Sequence, residues 1–280
     1  MSESALYIVA TPIGNLEDFT PRGIKTLSSV ALIAAEDTRH SARLLAHFNI
    51  KTPMIAVHDH NERQQGQKII NSLAQGESVA LISDAGTPLI SDPGFVLVRE
   101  VRAAGYRVVP VPGCCAMVAA LSAAGIASDR FAFEGFVPAK SQQRLNYYEN
   151  LAAESRSLIF YESPHRIEAS LEAIVSAFGA DRPVVIAREL TKTFETFLSG
   201  SAEDVLQQVQ ADHNQRKGEF VVIVQGAPQA DAGLLDAEAT RVLDILLEEL
   251  SVKQASALAA KITGVKKKVL YQAALEKKEG

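Results

Sequence analysis

The sequence predicts an α/β fold, with two α/β domains followed by a small helical C-terminal tail domain. Short apolar segments alternate with amphipathic ones through residues 1–226, and Leu and Ala recur at helical spacing from residue 234 onward. We therefore expect domains at 1–112, 113–226 and 234–280. The length of 280 residues and the hydrophobic content of 47% suffice for a buried core in each α/β domain.

Composition excludes several classes of protein. No apolar segment approaches the roughly 18 residues of a membrane span, and no basic region precedes the first apolar segment as in a secretory signal. We expect a cytoplasmic protein with no membrane association. Its two cysteines, Cys114 and Cys115, are adjacent, which fits neither a disulfide framework nor a C-x-x-C site.

Charge is distributed unevenly along the chain. The net charge is −5, but residues 251–280 hold seven Lys against two Glu, a local charge of +5, which leaves −10 for residues 1–250. A basic tail on an acidic body predicts contact with an anionic partner. A Lys-rich terminus exposed to solvent, with no partner, is the alternative.

The first half of the chain predicts five βα units. The expected strands are Leu6 to Ala10, Ala31 to Ala35, Met54 to Val57, Val79 to Ile82 and Val108 to Val111. Amphipathic segments between them, the first starting at Thr20-Pro21, predict helices. Strands and helices of these lengths predict a mostly parallel sheet covered on both faces.

The turn from Ser83 to Gly94, called here the 83–94 loop, is longer than the two to six residues usual between a strand and a helix. Its Gly and Pro residues predict a tight turn, and Ser91 or Asp92 is expected to cap a helix opened by Pro93. A small-residue loop at the carboxyl end of a parallel strand also favours a ligand site.

Polar groups follow two other strands. Glu36 to His40 follows the second strand and suggests a polar site at its end, with a solvent-exposed loop as the alternative. His58-Asp59-His60 follows the third with a spacing seen in metal sites, but no third ligand is evident nearby. A helix cap by Asp59 or Asn61 explains this polarity, so we predict no metal.

The second half predicts a mixed sheet. Its expected strands are Phe131 to Phe136, Ser157 to Tyr161, Val184 to Ala187, and two antiparallel additions at Phe194 to Leu198 and Phe220 to Val224. Polar turns follow at Glu162 to Arg166 and Arg188 to Lys192. Gly218-Glu219 stands at the head of the last strand.

The tail predicts helices around a break at Thr263-Gly264. The last helix is expected to begin with Lys266-Lys267-Lys268, an arrangement typical of helix-turn-helix contacts with nucleic acid. Elsewhere no P-loop, G-x-G-x-x-G turn after the first strand, G-x-S-x-G elbow or H-E-x-x-H occurs.

Seven motifs, in order along nearly the whole chain, resemble one family. They are Thr11 to Leu16, Ala35 to Arg39, Ser83 to Gly94, Phe133 to Phe136, Phe160 to Arg166, Ala187 to Lys192 and Lys217 to Glu219. This pattern is similar to the bacterial small-subunit ribosomal RNA 2′-O-ribose methyltransferases of the tetrapyrrole methylase fold family. The resemblance implies S-adenosyl-L-methionine in a cleft between two α/β domains, a homodimer, and a decoding-region cytidine of 16S ribosomal RNA, in the small ribosomal subunit, as methyl acceptor.

The resemblance also implies cofactor contacts, which we carry over position by position. These are Asp84, Ala85, Gly86, Leu89, Cys115, Ala116, Tyr161, Glu162, Leu190, Gly218 and Glu219. Small residues and backbone amides suit the amino-acid part of the cofactor, and apolar residues suit its adenine.

Methylation of a hydroxyl needs a group that accepts the proton, and the strand ends offer several. The candidates are Glu36, Asp37, Glu162, Glu189 and Lys192, among which the sequence does not choose. Cations expected to contact RNA are Arg39, Lys140, Arg166, Lys261, Lys266, Lys267 and Lys268.

Two other functions remain open at this point. Tetrapyrrole C-methylation occurs on the same fold, but those relatives carry a G-x-G-P-G-D turn where this chain has Thr11 to Asn15. A ribosome assembly factor without catalysis, binding through the basic tail, is the second alternative.

Overall fold

The computed structural model describes residues 4–58, 61–228 and 237–279. Its Cα packing separates two compact units, Met1–Gln225 and Gly226–Gly280. The predicted boundary at residue 112 lies inside the first unit, so the division of that unit into two domains stays a prediction.

The first sheet is parallel throughout, as predicted, with strand order β3-β2-β4-β1-β5. Its strands are β1 (Ala5–Val9), β2 (Leu32–Ala35), β3 (Met54–Ala56), β4 (Val79–Ile82) and β5 (Arg107–Val111). All four residues of β4 are buried. A central strand with both faces covered needs such continuous apolar sequence.

Helices cover both faces of this sheet. They are α1 (Pro21–Ser29), α2 (Thr38–His47), α3 (Glu62–Ala74) and α4 (Phe95–Ala103). One core packs Leu27 of α1 and Leu45 of α2 against the sheet, and the other packs Ile69 of α3 and Leu97 of α4. A 3₁₀ turn, Leu16–Asp18, precedes α1.

This arrangement places the 83–94 loop at a topological switch point. Strands β1 and β4 are neighbours, but the chain leaves β1 toward β2 and leaves β4 toward β5, in opposite directions along the sheet. Loops that diverge between adjacent parallel strands leave a crevice at their carboxyl ends. The turn after β1 and the 83–94 loop border this crevice.

The second sheet is mixed, as predicted, with order β6-β7-β10-β8-β9. Its strands are β6 (Phe131–Phe136), β7 (Ser157–Glu162), β8 (Pro183–Arg188), β9 (Thr196–Ser201) and β10 (Phe220–Val224). Strand β10 is antiparallel to both β7 and β8. The start of β10 therefore lies at the same edge as the ends of β7 and β8.

The helices of this half of the unit are α5 (Ala116–Ala123), α6 (Ser141–Leu151), α7 (Ile167–Phe178) and α8 (Ala202–Ala211). Ala120 of α5 packs on one face with Ile159 and Val221. The opposite face packs against α6, α7 and α8 in a larger cluster that includes Tyr148 and Phe160. A 3₁₀ turn, His213–Arg216, follows α8.

The second compact unit holds α9 (Ala237–Glu249), α10 (Val252–Thr263) and α11 (Lys267–Glu279). Its core consists largely of small side chains, with Ala255, Ala259 and Ala274 buried beside Leu243 and Leu270. The break predicted at Thr263-Gly264 is confirmed, because Gly264 ends α10 in the left-handed conformation at φ 75°.

Two predicted helix caps were wrong. Helix α4 begins at Phe95 with Gly94 as its N-cap residue, and neither Ser91 nor Asp92 caps it. The Asn61 side chain does not cap α3 but accepts a hydrogen bond from the His58 amide. Asp59 and His60 lie outside the described residues.

Within residues 4–58, 61–228 and 237–279, no helix combines the length and the apolar content that crossing a bilayer requires. No group of His, Cys, Asp and Glu side chains in those ranges could hold a metal ion.

Candidate active site

A cavity of about 420 Å³ lies in the first compact unit, between residues of the two sheets. From the first sheet and the segment after it come Ile13, Ala85, Gly86, Thr87, Ile90, Ser91, Asp92, Cys115 and Ala116. From the second come Phe136, Tyr161, Glu162, Ser163, Pro164, Ala187, Leu190, Glu219, Phe220 and Val221. The loops at the switch point and the polar edge of the mixed sheet thus face one space.

Neutral hydrogen bonds hold the 83–94 loop in place. Thr11 and Gly86 exchange two backbone bonds, with N···O distances of 2.8 and 3.1 Å. The Thr87 hydroxyl donates to the Cys114 carbonyl at 2.8 Å. These bonds tie the loop to the turn after β1 and to the segment before α5.

Backbone strain concentrates beside the cavity. Among the described residues, five that are not Gly have positive φ, and four of them are Leu89, Ser91, Glu189 and Thr191, in the two loops that border it. Such conformations cost about 1 to 3 kcal/mol each and persist only where surrounding contacts hold them, commonly at functional sites.

Aromatic rings form one wall. The Tyr161 ring lies 5.6 Å from Phe136 and 4.8 Å from Phe133, measured between centroids. Its hydroxyl accepts a hydrogen bond from the Met117 amide, in the first turn of α5, at 3.2 Å. Burial and the nearby Cys115 raise the pKa of Tyr161 to about 12, so it is a neutral phenol that positions the start of α5.

The carboxylate of Glu162 is buried among hydrogen-bond donors. It is 3% exposed, and its carboxylate accepts hydrogen bonds from the Ser163 amide, the Arg166 guanidinium and the Ser170 hydroxyl. Both carboxylate oxygens of Glu162 are therefore engaged within the protein, Oε1 by Ser163 and Arg166 and Oε2 by Ser170. Arg166, also a candidate for RNA contact, is committed to the same pair.

A charged cluster lies at the edge of the cavity, in the loop of residues 188–192. Lys192 Nζ lies 2.9 Å from Glu189 Oε1 and 2.8 Å from Glu219 Oε2, and the Glu219 amide donates to Glu189. Burial alone would raise the pKa of Glu189, but the bonds from Lys192 and Glu219 outweigh it and the pKa is lowered. Burial alone would lower the pKa of Lys192, but its two carboxylate partners raise it. Neither group is free to accept a proton near neutral pH.

Of the two candidates that follow the second strand, Glu36 and Asp37, Asp37 is the N-cap residue of α2. Asp37 caps α2 through the Arg39 amide and pairs with the Arg39 guanidinium at 2.9 Å, contacts that lower its pKa to about 2. Its own amide donates to Asp84 at 3.1 Å. Glu36 is half-buried and, like Asp37, is not in the cavity wall as far as the structure describes the chain.

Most of the predicted cofactor residues line the cavity. Eight do so, namely Ala85, Gly86, Cys115, Ala116, Tyr161, Glu162, Leu190 and Glu219. In the described structure Asp84, Leu89 and Gly218 lie beside the wall rather than in it. Leu89 packs instead against the core between β4 and α4, where its side chain approaches Gly94.

Asp92 is the main cavity residue that sequence reasoning missed. The sequence predicts Asp92 as a helix cap, but in the structure Asp92 lines the cavity. Burial raises its pKa, a hydrogen bond with the Ser83 hydroxyl partly counteracts this, and the nearby Asp84 raises it further. The available signal was the length of the 83–94 loop, which exceeds what a cap needs.

A second, open groove of about 490 Å³ shares Pro164 with the cavity. Its other lining residues are His165, Glu168, His213, Arg216, Lys217 and Gly218. Arg216 pairs with Glu168 at 2.8 Å, and the exposed Lys217 donates to Asn214. Gly218 is followed by Glu219 of the cavity, so the groove begins where the cavity wall ends.

The remaining cations proposed for RNA contact are accessible. Arg39 has a 90% exposed side chain despite its pair with Asp37, and Lys140 is exposed at the start of α6. In the second compact unit the exposed lysines are Lys261, Lys266, Lys267 and Lys268.

Two family models match the chain. The model described as Tetrapyrrole (Corrin/Porphyrin) Methylases covers residues 5–206, and the model described as RsmI C-terminal HTH domain covers residues 233–278. The first spans more than half of the chain and contains both loops that border the cavity.

Curated relatives match over nearly the full length. A protein of Pseudomonas aeruginosa is 57% identical over 279 residues, 99% of each chain, and one of Escherichia coli O157:H7 is 54% identical over 275 residues, 98% of this chain and 96% of that one. Both are named Ribosomal RNA small subunit methyltransferase I.

Solved structures share the fold. A uroporphyrin-III-C-methyltransferase from Thermus thermophilus aligns with a TM-score of 0.56 at 19% identity, over 79% of this chain and 94% of its own. A diphthine synthase aligns with a TM-score of 0.61 at 13% identity, over 79% and 90%. At these identities the alignments show the fold alone.

Proposed function

The chain belongs to the tetrapyrrole methylase family, among the relatives named ribosomal RNA small subunit methyltransferase I, and from this premise we propose that it methylates the 2′-hydroxyl of a cytidine ribose in 16S ribosomal RNA. It is an S-adenosylmethionine-dependent methyltransferase. The observation that carries the proposal is the cavity at the switch point, which joins a small-residue loop to an aromatic wall and opens beside a basic groove.

The cavity residues fit this cofactor. A volume of about 420 Å³ lies within the roughly 300 to 1,000 Å³ of small-molecule sites. Ala85, Gly86 and Ala116 leave backbone accessible, and Cys115 and Ala116 place the start of α5 against the cavity. Helix N-termini favour carboxylates such as that of the cofactor's methionine part. Leu190 and Tyr161 supply apolar surface for its adenine.

The protein's contribution is chiefly orientation. The bound cofactor supplies an activated methyl group that needs no further chemical activation. The backbone bonds between Thr11 and Gly86, and the bond from the Thr87 hydroxyl to the Cys114 carbonyl, fix the loop against which a cofactor would bind. The aromatic wall would shield that site from water. Holding two reactants in line can supply about 7 to 11 kcal/mol of a barrier.

The groove supports RNA rather than a tetrapyrrole as the substrate. The exposed Lys217 suits the phosphate next to a nucleotide whose ribose enters the cavity. His165 and His213 offer further donors or stacking surfaces. On this proposal Arg39, Lys140 and the tail lysines supply further contacts with RNA. We also propose that the protein acts in the cytoplasm and as a homodimer, in keeping with its resemblance.

The direct test is methylation of small ribosomal subunits taken from a strain lacking this activity. With purified protein and methyl-labelled cofactor, the label should appear as 2′-O-methylcytidine after nuclease digestion. Ala85→Trp, which fills the cavity, should abolish labelling, whereas Ala103→Trp, at an exposed site on α4, should not. Label on a base, label on uroporphyrinogen, or no label at all despite cofactor binding would each contradict the proposal.

The tail is tested separately. Changing Lys261, Lys266, Lys267 and Lys268 to Gln should raise KM for subunits and leave cofactor affinity unchanged. Each lost phosphate contact to single-stranded RNA should flatten the log–log salt dependence of binding by about 0.7. An unchanged KM together with an unchanged salt slope would indicate that the tail is a solvent-exposed, Lys-rich terminus with no partner.

A further inference from the structure

We propose that Phe136 is the surface on which the base of the target nucleotide stacks while the ribose of that nucleotide enters the cavity. This role rests on the proposed function, because it presupposes a nucleotide as methyl acceptor. Phe136 is not among the site residues expected from the sequence, in which it marks only the end of a strand. In the structure it is the last residue of β6 and lines the cavity.

A β-bulge turns Phe136 toward the cavity. The pairing of β6 with β7 shifts register between Phe133 and Gly135. Before the shift Phe133 pairs with Ile159, and after it Phe136 pairs with Tyr161. Because Ile159 and Tyr161 are two residues apart, they lie on the same face of the sheet, and so do their partners. Without the extra residue, strict alternation would place Phe136 on the face opposite to Phe133.

Gly135 allows this bulge. Its φ is 66°, a left-handed conformation that favours Gly and is common at bulges. A Cβ at this position would lie 3.4 Å from the hydroxyl oxygen of Ser91, so the bulge lies against the 83–94 loop. Strand β6 therefore departs from regular pairing where it reaches the cavity, and bulges beside active sites commonly redirect a side chain.

Three aromatic residues line the cavity in the part of the chain that the structure describes, and they differ in exposure. Phe220 is 3% exposed and belongs to the core of the mixed sheet. Tyr161 is partly buried, with its hydroxyl bonded to the Met117 amide. Phe136 is 58% exposed. Of the three, Phe136 therefore offers the most ring surface to a ligand.

The contact between Phe136 and Tyr161 leaves one face of the Phe136 ring uncovered by Tyr161. The two ring centroids are 5.6 Å apart and the rings are inclined at 67°, an edge-to-face arrangement. In such a pair each ring covers at most one face of the other. A flat base can stack on the second face, while the contact with Tyr161 limits the rotation of the Phe136 ring.

The neighbouring charges favour a nucleotide as the occupant of this surface. The exposed Lys140 follows Phe136 by four residues, so the two Cα atoms lie within roughly 14 Å of each other. The cavity that Phe136 lines shares Pro164 with the groove that contains the exposed Lys217. Proteins bind single-stranded nucleic acid with exposed aromatic rings beside such cations, which contact the phosphates while the ring stacks on a base.

The covalent structure of a nucleotide also requires a place for its base. The carbon that bears the 2′-hydroxyl is bonded directly to the carbon that bears the base, so the base lies at the mouth of the cavity when the hydroxyl is inside. Removing a base from its stack in RNA costs free energy, which stacking on a protein ring offsets. Because stacking tolerates any base, Phe136 positions the ribose rather than selecting cytidine.

The first test compares three variants of the full chain, Phe136→Ala, Phe136→Leu and Phe136→Tyr. The Ala variant should lower kcat/KM for small ribosomal subunits about 5- to 140-fold, the factor that corresponds to about 1 to 3 kcal/mol of base stacking. The Leu variant, apolar but without a flat ring, should lose nearly as much, and the Tyr variant should retain most of the parental value. Phe131→Leu, at the other exposed end of β6, is the matched control and should match the parent.

Two measurements on Phe136→Leu distinguish a base from other occupants of this surface. Calorimetry should find the affinity for S-adenosylmethionine within about twofold of the parent, and sedimentation should find the same oligomeric state. A loss of cofactor affinity of about tenfold would overturn the proposal, because Phe136 would then be a cofactor contact. A changed oligomeric state would overturn it as well, because a second copy of the chain would then cover Phe136. So would a kcat/KM within about twofold of the parent.

A fluorescence measurement does not depend on activity. The chain contains no Trp, so Phe136→Trp and Phe131→Trp each introduce a single indole. Protein-free 16S ribosomal RNA should quench the emission of the indole at position 136, because a stacked base lies against it, and should leave that at position 131 nearly unchanged. Equal quenching at the two positions, or none at position 136, would overturn the proposal. Quenching at position 136 alone, without ribose methylation by the parent protein, would instead contradict the proposed function.

Discussion

The two loops that border the cavity reach similar backbone conformations by different means. The 83–94 loop and the 188–192 loop each contain two non-Gly residues with positive φ. Backbone pairing with Thr11 and the Thr87 hydroxyl hold the first. Ion pairs of Lys192 with Glu189 and Glu219 hold the second.

This difference separates two kinds of rigidity. Hydrogen bonds between neutral groups are insensitive to salt and to pH across the physiological range, whereas ion pairs weaken with salt and disappear when a partner titrates. The 83–94 loop should therefore keep its conformation over a wide range of conditions. The loop beside the basic groove should respond to them.

The largest effect on stability is expected at Gly218, which lies close to Glu189 of the 188–192 loop. Gly218 has φ 94°, and a Cβ there would overlap the Glu189 carboxyl. Gly218→Ala should lower the free energy of unfolding by about 3 kcal/mol or more, because backbone strain adds to the displacement of a paired carboxylate. Urea unfolding followed by circular dichroism measures the loss.

Gly105→Ala is the matched control. Gly105 has φ 86°, but a Cβ there meets nothing within 4 Å, so its cost should be the conformational one alone, about 1 to 2 kcal/mol. Equal losses at the two positions would show that the close approach at Gly218 does not matter.

An intermediate effect is expected from Lys192→Gln, which removes the cation of the cluster. The loss should be about 1 to 3 kcal/mol near neutral pH and should shrink in high salt. The lowered pKa of Glu189 means that its contribution is present above its unfolded pKa and is lost as pH falls through its folded pKa.

The stability lost in Lys192→Gln should depend on pH in a defined direction. The stability difference between the parent and Lys192→Gln should be constant from about pH 5 to pH 10 and should decrease on acidification below the ordinary Glu range. It should also decrease as pH rises through the folded pKa of Lys192, which is raised above its ordinary value. A difference that grows on acidification would contradict the ionic account of this loop.

The smallest effect on stability is expected from Thr87→Val. This change removes a hydroxyl from the 83–94 loop with little change in side-chain shape. The loss of its bond to Cys114 should cost about 1 kcal/mol. This loss should be the same at pH 5 and pH 8 and in low and high salt. A salt-dependent loss would erase the distinction between the two loops.

Local sequence predicted most of the fold. Apolar runs such as Val79–Ile82 lie where strands form, Thr20-Pro21 starts α1 with the Thr20 hydroxyl as its cap, and Gly264 ends α10. These features depend on residues within a few positions of each other, so composition and spacing are enough to reveal them. Polar strand ends were likewise visible as candidate site positions.

Only the tertiary structure decided what those site residues do. Glu162 was a candidate base by its position, and the folded chain places Arg166 and Ser170 against its carboxylate. Leu89 was a candidate cofactor contact, but its side chain packs into the core. Asp92 looked like a cap and lies in the cavity wall.

The physical reason is that burial and hydrogen-bond partners depend on groups far apart along the chain. The sequence by itself determined which segments form strands and helices and where polar loops leave the sheets. The pKa of a carboxyl and the space in front of it depend on how the strand ends of two sheets meet, and that was decided only by the packing of the folded chain.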